Sequence, residues 1–168
     1  MTGKRIERLN SGHEIQSFDC GKAALNQWFQ NHALQSQSAN ASKTYVGLDG
    51  NSVVGFYSLA VGHVEYDDAS ARLKKGLAHQ PVPVMLLARL AIHHDWQGKG
   101  VGKALLRDAV LRTLQAADIA GIRAFVTHAK DEDAKEFYQR FDFQQFDTDP
   151  LHLGALLKDL KALFGANF

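Results

Sequence analysis

The chain predicts an α/β (α+β) protein, one mixed β-sheet flanked by helices, in a single domain over residues 1–168. Three observations predict it. Strand-like and helix-like patterns alternate, with no internal repeat and no low-complexity tract. Two strand patterns flank Asp49-Gly50-Asn51, which reads as a hairpin turn. An apolar run, Val84 to Ile92, passes through a Gly-rich turn into a long amphipathic segment.

The elements follow in order. Gly21 to Gln35 carries Leu25, Trp28, Phe29 and Ala33 at helical offsets. Lys43–Leu48 and Ser52–Val64 are the hairpin strands, the second alternating through Val54, Phe56, Ser58 and Ala60. Asp67 to Leu77 reads as helix or loop, and His79-Gln80-Pro81-Val82-Pro83 as an extended connector, because each proline disfavours helix at the residue before it. After the strand to Ile92 and the Gly-rich turn, a helix runs to about Ala117. Leu105, Ala109 and Arg112, with Leu106, Val110 and Leu114, recur at helical spacing, while Lys103 and Arg107 fall on another face. Arg123 to His128 is another strand. Asp131 caps a helix through Phe141, with Glu132 and Asp133 in its favourable acidic first turn. A last strand near Phe143–Phe146 precedes a tail whose Leu151, Leu153, Leu156, Leu157, Leu160 and Leu163 are expected to pack onto the body.

Composition bounds the function. At 45% hydrophobic and 22% charged residues the chain is an ordinary globular protein, and 168 residues bury a proper core. A formal net charge of +1 gives no global signal for nucleic acid. Locally, Lys4, Arg5 and Arg8, then Arg72, Lys74 and Lys75, then Lys99, Lys103 and Arg107 form basic clusters that would serve an anionic partner if they converge on one face. The lone Cys20 excludes an intramolecular disulfide, has no recognisable base beside it and reads as a small buried residue. Met1 to Arg5 lacks the apolar segment of a signal peptide, and no apolar run has the length of a membrane span. A cytoplasmic protein with no membrane partner is expected. No pair among the eight histidines has metal-ligand spacing with acidic or thiol partners, so no metal is expected. His93 and His94, at the end of the Val84–Ile92 strand, read as surface residues.

The Gly-rich turn carries the first chemistry. A strand, glycines and a helix start direct several backbone N–H groups at one spot, and the helix dipole favours negative charge there, so the segment predicts phosphate binding. Trp96-Gln97-Gly98-Lys99-Gly100-Val101-Gly102-Lys103 is not a P-loop, because Ala104 follows Lys103 where a Ser or Thr would hold magnesium. It is not a dinucleotide fingerprint either: its third glycine comes too early and the turn lies past the middle of the chain. Gln97-Gly98-Lys99-Gly100-Val101-Gly102 instead resembles the Q/R-x-x-G-x-G/A pyrophosphate loop of the GNAT acetyltransferases. The resemblance implies the GNAT fold with a splayed central sheet. It further implies that Gln97 and the amides of Gly98, Lys99, Gly100, Val101, Gly102 and Lys103 cradle the pyrophosphate of acetyl-coenzyme A, the co-substrate.

The second candidate is Tyr138. Ala134, Phe137, Tyr138 and Phe141 lie on one helical stripe, and spacing alone reads Tyr138 as a half-buried core tyrosine with its hydroxyl satisfied. The resemblance adds a role, since GNAT proteins carry A-x-x-F-Y-x-x-x-G-F here, the tyrosine pointing at the coenzyme sulfur. Asp142 stands where the usual glycine precedes Phe143, a position that requires helix-ending geometry, which Asp tolerates better than most residues. Acetyl transfer to an amine forms an oxyanion and expels a thiolate. A phenol, with a pKa of about 10, can hydrogen-bond or protonate a sulfur whose thiol has a pKa of about 8.5. The resemblance places a backbone N–H near Leu90, Ala91 and Ile92 at the oxyanion. The attacking amine must be neutral. An α-amine, with a pKa of about 7.7–8.0, needs no dedicated base, whereas a lysine side chain near about 10.4 would need one, and no Asp or Glu stands out for it.

The resemblance narrows further. Phe18-Asp19-Cys20-Gly21-Lys22-Ala23-Ala24-Leu25-Asn26-Gln27-Trp28-Phe29 is similar to the F-x-C-G-x-x-x-L-N-x-W/F-L segment of one GNAT branch. So are Val54–Leu59, Pro81–Val84, Leu87–Ile92 and Asp108-Ala109 with Arg112, in the right order over most of the chain. That branch holds the acetyltransferase toxins of bacterial toxin–antitoxin operons, which acetylate the α-amine of aminoacyl-tRNA and block translation. It implies Tyr138 as catalytic residue and Arg89, with the basic clusters, steering the tRNA backbone. It also implies a ribbon-helix-helix antitoxin as partner and, as in related toxins, a homodimer. The competing readings are a GNAT enzyme acting on a small amine or a protein N-terminus, and a catalytically silent coenzyme A-binding module.

Overall fold

Gly50, at φ +61°, turns the chain between β2 (Lys43–Asp49) and β3 (Ser52–Val64), a left-handed conformation that glycine adopts at little cost. The computed structural model describes residues 4–165; Met1–Gly3, read above as part of a leaderless start, lie outside them. Among the described residues seven strands form the sheet. The chain divides into two compact units: one runs up to Ala60 and again over Ala88–Ala109, the other over Val61–Leu87 and from Val110 onward.

In the first unit the strand order is β1 (Lys4–Arg8), β2, β3 and then β4 (Val82–Ile92), with β1 and β3 each antiparallel to β2. The expected alternation of β3 does not expose alternate residues: Val53 to Leu59 are all buried. Its polar Ser58 tolerates burial because its hydroxyl lies 2.9 Å from that of Thr44, the residue opposite it on β2. One face is covered by α1 (Ala23–Ser38), two residues later in its start and three in its end than its apolar periodicity predicts. Phe29 and Ala33 of that helix have no exposed surface. Phe29 stacks on Phe56 with ring centroids 4.1 Å apart, and Phe18 meets both edge-on. Each such buried side chain contributes about 1.5–3 kcal/mol.

The first turns of α3 (Val101–Ala117) bury Leu105, Leu106 and Ala109 completely. Asp108 of the same helix accepts a 2.5 Å hydrogen bond from the hydroxyl of buried Tyr57. Gly55 of β3 admits this close packing. A Cβ there would lie 2.8 Å from Leu105 Cδ1, 3.0 Å from the Ala91 carbonyl oxygen and 3.2 Å from Ile92 Cδ1. Gly55→Ala is expected to destabilise the protein by about 1–3 kcal/mol, because a backbone carbonyl cannot swing aside as a side chain does. A thermal melt reads this as a fall in Tm of about 2–10 °C.

In the second unit the order is β3, β4, β5 (Ala124–His128), β7 (His152–Leu156) and β6 (Gln144–Gln145). β4 pairs in parallel with β5 from Val84↔Ala124 to Leu87↔Thr127, and β7 pairs antiparallel with both β5 and β6. The sheet is thus mostly antiparallel, with β4 and β5 parallel, the mixed sheet expected. The Asp67–Leu77 segment resolves into a 3-10 turn, Tyr66–Asp68, and a short α2, Ala71–Lys74. Asp131 caps α4 (Glu132–Gln139), its side chain accepting the Ala134 N–H at 2.8 Å. The C-terminal tail departs from its expected form. It supplies an inserted strand, β7, and then α5 (Leu157–Phe164). Leu153, Leu156, Leu157 and Leu160 are buried, but Leu163 stays 46% exposed. Among the described residues no helix is long and apolar enough to cross a membrane.

Candidate functional site

In the first unit the site residues follow one another without a gap. β4 ends at Ile92, a 3-10 turn spans His94–Trp96, and the loop Gln97–Gly100 leads into α3. Gly98 and Gly100 take φ +76° and +83°, and nothing lies within 4 Å of the place where either Cβ would stand. These two left-handed residues bend the loop while leaving its backbone open. Ala104 N–H bonds to the Gly100 carbonyl at 3.1 Å and starts the helical ladder. The amides from Gly98 to Lys103 meet no protein acceptor in hydrogen-bonding geometry among the described residues. A run of open N–H groups at a helix start fits an anion such as a pyrophosphate.

Gln97 holds this loop in place. Its side-chain amide donates to the Cys20 and Ile92 carbonyls, both at 3.0 Å, and so spends both of its donors inside the protein. The expected cradle therefore rests on backbone amides, with the Gln97 side chain as their anchor. Lys4 and Lys99 flank the Trp96 ring, their ammonium nitrogens 5.2 and 5.4 Å from its centroid. Cys20 is buried, with its thiol against the Lys22 carbonyl.

The end of β4 presents its residues to opposite faces. Ala91 belongs to the core cluster that contains Phe29 and Ala33 of α1, whereas the Ile92 side chain lies beside Gly55, as does Leu105 of α3. Parity places Arg89 on the α1 face and Leu90 on the other. The Arg89 guanidinium lies 3.8 Å from the centroid of the Trp28 ring, a contact 61 residues distant in sequence that no local pattern announces. His93 is partly buried and accepts the Asp95 N–H through Nδ1, while His94 is exposed. One donor atom each from His93, His94 and Asp95 lies within 4.8 Å of the others.

In the second unit Tyr138 sits on α4 with 5% of its surface exposed, more buried than a helical stripe alone implies. Its ring packs against Phe137 and Phe143. Its hydroxyl shares a hydrogen bond with Thr127, whose own hydroxyl donates to the Leu87 carbonyl at 2.8 Å. Burial pushes the phenol up to about 12, the Thr127 hydrogen bond opposing only part of that shift, so it stays protonated through the physiological range. Thr127 was missed in the sequence, where it is one polar residue within an apolar strand. Asp142 takes φ +67°, the left-handed conformation expected of the glycine it replaces, and lets the Phe143 N–H return to the Tyr138 carbonyl at 3.3 Å.

The basic clusters are not all available to a ligand. Arg72 is held by both oxygens of Asp159, at 2.7 and 2.9 Å, which raises the guanidinium pKa and lowers that of the carboxyl. Arg5 bonds Glu7 and the Gly50 carbonyl, and Arg8 lies over Tyr45.

Comparison with known proteins places this geometry. Residues 40–145 match the model of the acetyltransferase (GNAT) domain. The chain is 42% identical over 158 residues, 94% of its length and 95% of the relative's, to the tRNA-acetylating toxin of Mycobacterium tuberculosis. Among solved structures it resembles AtaT complexed with acetyl-methionyl-tRNAfMet, at TM-score 0.87 and 26% identity, over 96% of this chain and 99% of that one. It also resembles a mutant AtaT toxin bound to the C-terminus of the antitoxin AtaR and acetyl-CoA, at TM-score 0.83 and 26% identity, over 96% and 98%. With the domain model covering more than half of the chain, and a relative of this identity nearly end to end, the chain belongs to the GNAT acetyltransferase family.

Proposed function

We propose that this chain is a toxin that transfers the acetyl group of acetyl-coenzyme A to the α-amine of an aminoacyl-tRNA and so blocks translation. The observation that carries the reading is the 42% identity, over 94% of the chain, to a tRNA-acetylating toxin. In the reaction the neutral amine nitrogen attacks the thioester carbonyl carbon and an oxyanion forms. The C–S bond then breaks, the amine loses a proton, and the sulfur leaves to become the free thiol. The residues take separate roles. The amides from Gly98 to Lys103 hold the pyrophosphate, with Gln97 anchoring their loop. Leu90, Ala91 and Ile92 run along the coenzyme, and one of their N–H groups receives the oxyanion. Tyr138 donates a hydrogen bond to the departing sulfur, its single O–H proton turning from Thr127 to do so. Arg89 meets the tRNA backbone. No carboxylate is assigned as base, because an α-amine with a pKa of about 7.7–8.0 is partly neutral at pH 7.

The same reading makes residues 1–168 one GNAT domain, places the protein in the cytoplasm, and gives it a ribbon-helix-helix antitoxin and a second copy of itself as partners. Cell-free translation tests it. Added with acetyl-coenzyme A, the purified chain is expected to stop protein synthesis and to leave label from the acetyl group on aminoacyl-tRNA. Undiminished synthesis, with label passing instead to a small amine or a protein N-terminus, would overturn it.

A further inference from the structure

Trp28 is fixed more firmly than a half-buried helix residue ordinarily is. Its ring lies 22° from parallel with Phe56, at 6.2 Å, and Phe56 in turn stacks on Phe29. Phe29 and Phe56 have no exposed surface, so the indole is the outer member of an aromatic column rooted in the core. The Arg89 guanidinium lies on that indole, 3.8 Å from its centroid. The stack orients the planar fork and leaves its N–H edges free to donate.

Those donors have no acceptor within the protein. Among the described residues Arg89 has no carboxylate or carbonyl partner, unlike Arg72, which has Asp159, or Arg123, which donates to the Leu73 and Lys75 carbonyls. Burial alone lowers its pKa, with no neighbouring charge to offset it. Arg89 is partly buried, so its guanidinium has lost some of its water without gaining a counter-ion, and an anion arriving from solvent would supply one. A planar, oriented fork with several free donors suits a phosphate, which it can meet bidentately. Strand parity separates this phosphate from that of the coenzyme. Arg89 shares the α1 face with Ala91, whereas the amides from Gly98 to Lys103 stand at the start of α3, whose Leu105 packs on the opposite face with Ile92.

We infer that Trp28 and Arg89 form one stacked platform for a phosphate of the acceptor nucleic acid: Arg89 contacts the phosphate, and Trp28 is the positioning residue that holds the guanidinium in register. The inference rests on the tRNA reading above and adds a residue to it.

Filter binding of deacylated bulk tRNA between 50 and 200 mM salt tests the platform without requiring acetyl transfer. One phosphate contact changes the slope of log affinity against log salt by about one. Arg89→Ala is expected to flatten the slope by that amount and to weaken binding about tenfold at the lower salt. Arg89→Lys should keep the slope, since the charge remains, yet lose affinity with the oriented fork. Trp28→Leu is expected to weaken tRNA binding in the same direction, Trp28→Phe to restore most of it, and Trp28→Leu to add nothing once Arg89 is alanine. Affinity for acetyl-coenzyme A, measured by calorimetry, should stay unchanged in every variant. Because the arginine variants leave the aromatic column intact, they decide the matter even if Trp28→Leu fails to fold. An unchanged slope in Arg89→Ala overturns the platform. A loss of acetyl-coenzyme A affinity in place of tRNA affinity overturns it as well, by giving the phosphate to the coenzyme. A wild-type chain that acetylates no aminoacyl-tRNA, while Arg89→Ala still flattens the salt slope of tRNA binding by about one, upholds the platform and refutes the proposed reaction instead.

Discussion

Tyr138→Phe is expected to lower kcat by about 10²–10⁴-fold while leaving affinity for acetyl-coenzyme A unchanged. The substitution removes one oxygen from a buried ring and keeps the packing against Phe137 and Phe143. Thr127 loses one of its two partners and keeps the Leu87 carbonyl, a cost to stability of about 1 kcal/mol. With its pKa at about 12, the phenol is protonated at every pH at which the chain would work. Full transfer of its proton to a thiolate whose conjugate acid has a pKa of about 8.5 is uphill. The assigned contribution is therefore a hydrogen bond that strengthens as charge collects on the sulfur, one made in the transition state and not in the ground state. The pH dependence follows with a definite sign. Activity should rise with pH through about 7–8 as the acceptor α-amine loses its proton, and no falling limb from the phenol should enter until about 12. The rising limb should persist in Tyr138→Phe at its reduced height, because the titrating group belongs to the substrate. A steady-state pH profile of both enzymes, beside a calorimetric titration with acetyl-coenzyme A, checks each part. An undiminished kcat would remove Tyr138 from the reaction.

Features that depend on local backbone geometry were legible in the sequence. Gly98 and Gly100 mark left-handed positions that few other residues take, Asp131 marks a helix start, and Gly50 a hairpin, and each stands where it was expected. Asp142 shows the same logic at a non-glycine, its φ of +67° being the conformation its place in the motif requires. What stayed hidden depends on partners distant in the chain. β7 is a strand because β5 and β6 supply its hydrogen bonds, and because Gly154 admits the Phe146 ring, which lies 2.9 Å from where a Cβ would stand. Its leucines run on into those of α5, so helical and strand periods merge in one stretch. Arg72 looked like part of a basic cluster until Asp159, 87 residues on, was seen to hold it. Trp28 fitted a core helix position, and only the fold lays Arg89 across it. Pairings of this kind leave no spacing rule in one sequence, which is why the Gly-rich loop could be read and the contact of Arg89 with Trp28 could not.

Replacing Gly98 and Gly100 together by valine should raise the dissociation constant for acetyl-coenzyme A by about 10²-fold and leave the fold intact. Both residues sit at positive φ, where an L side chain costs about 1–2 kcal/mol and a β-branched one is least tolerated. Nothing lies within 4 Å of either added Cβ, so steric collision with the rest of the protein is not the cause of the loss. The loop is exposed and can relieve its strain by turning each residue back to negative φ. That rotation re-aims the peptide planes on both sides, and the amides from Gly98 to Lys103 no longer converge on one anion. Two penalties of this size give about 2–4 kcal/mol, of which each 1.4 kcal/mol is a tenfold change in affinity. Asparagine separates geometry from side-chain bulk, since it enters the left-handed region more readily than other residues. Gly98→Asn with Gly100→Asn is therefore expected to keep most of the affinity that the valine pair loses. Calorimetry gives the two constants, and a thermal melt within a few degrees of wild type shows that the scaffold has survived. Equal losses in the asparagine and valine pairs would mean that open space around the loop, and not its handedness, is what the coenzyme needs.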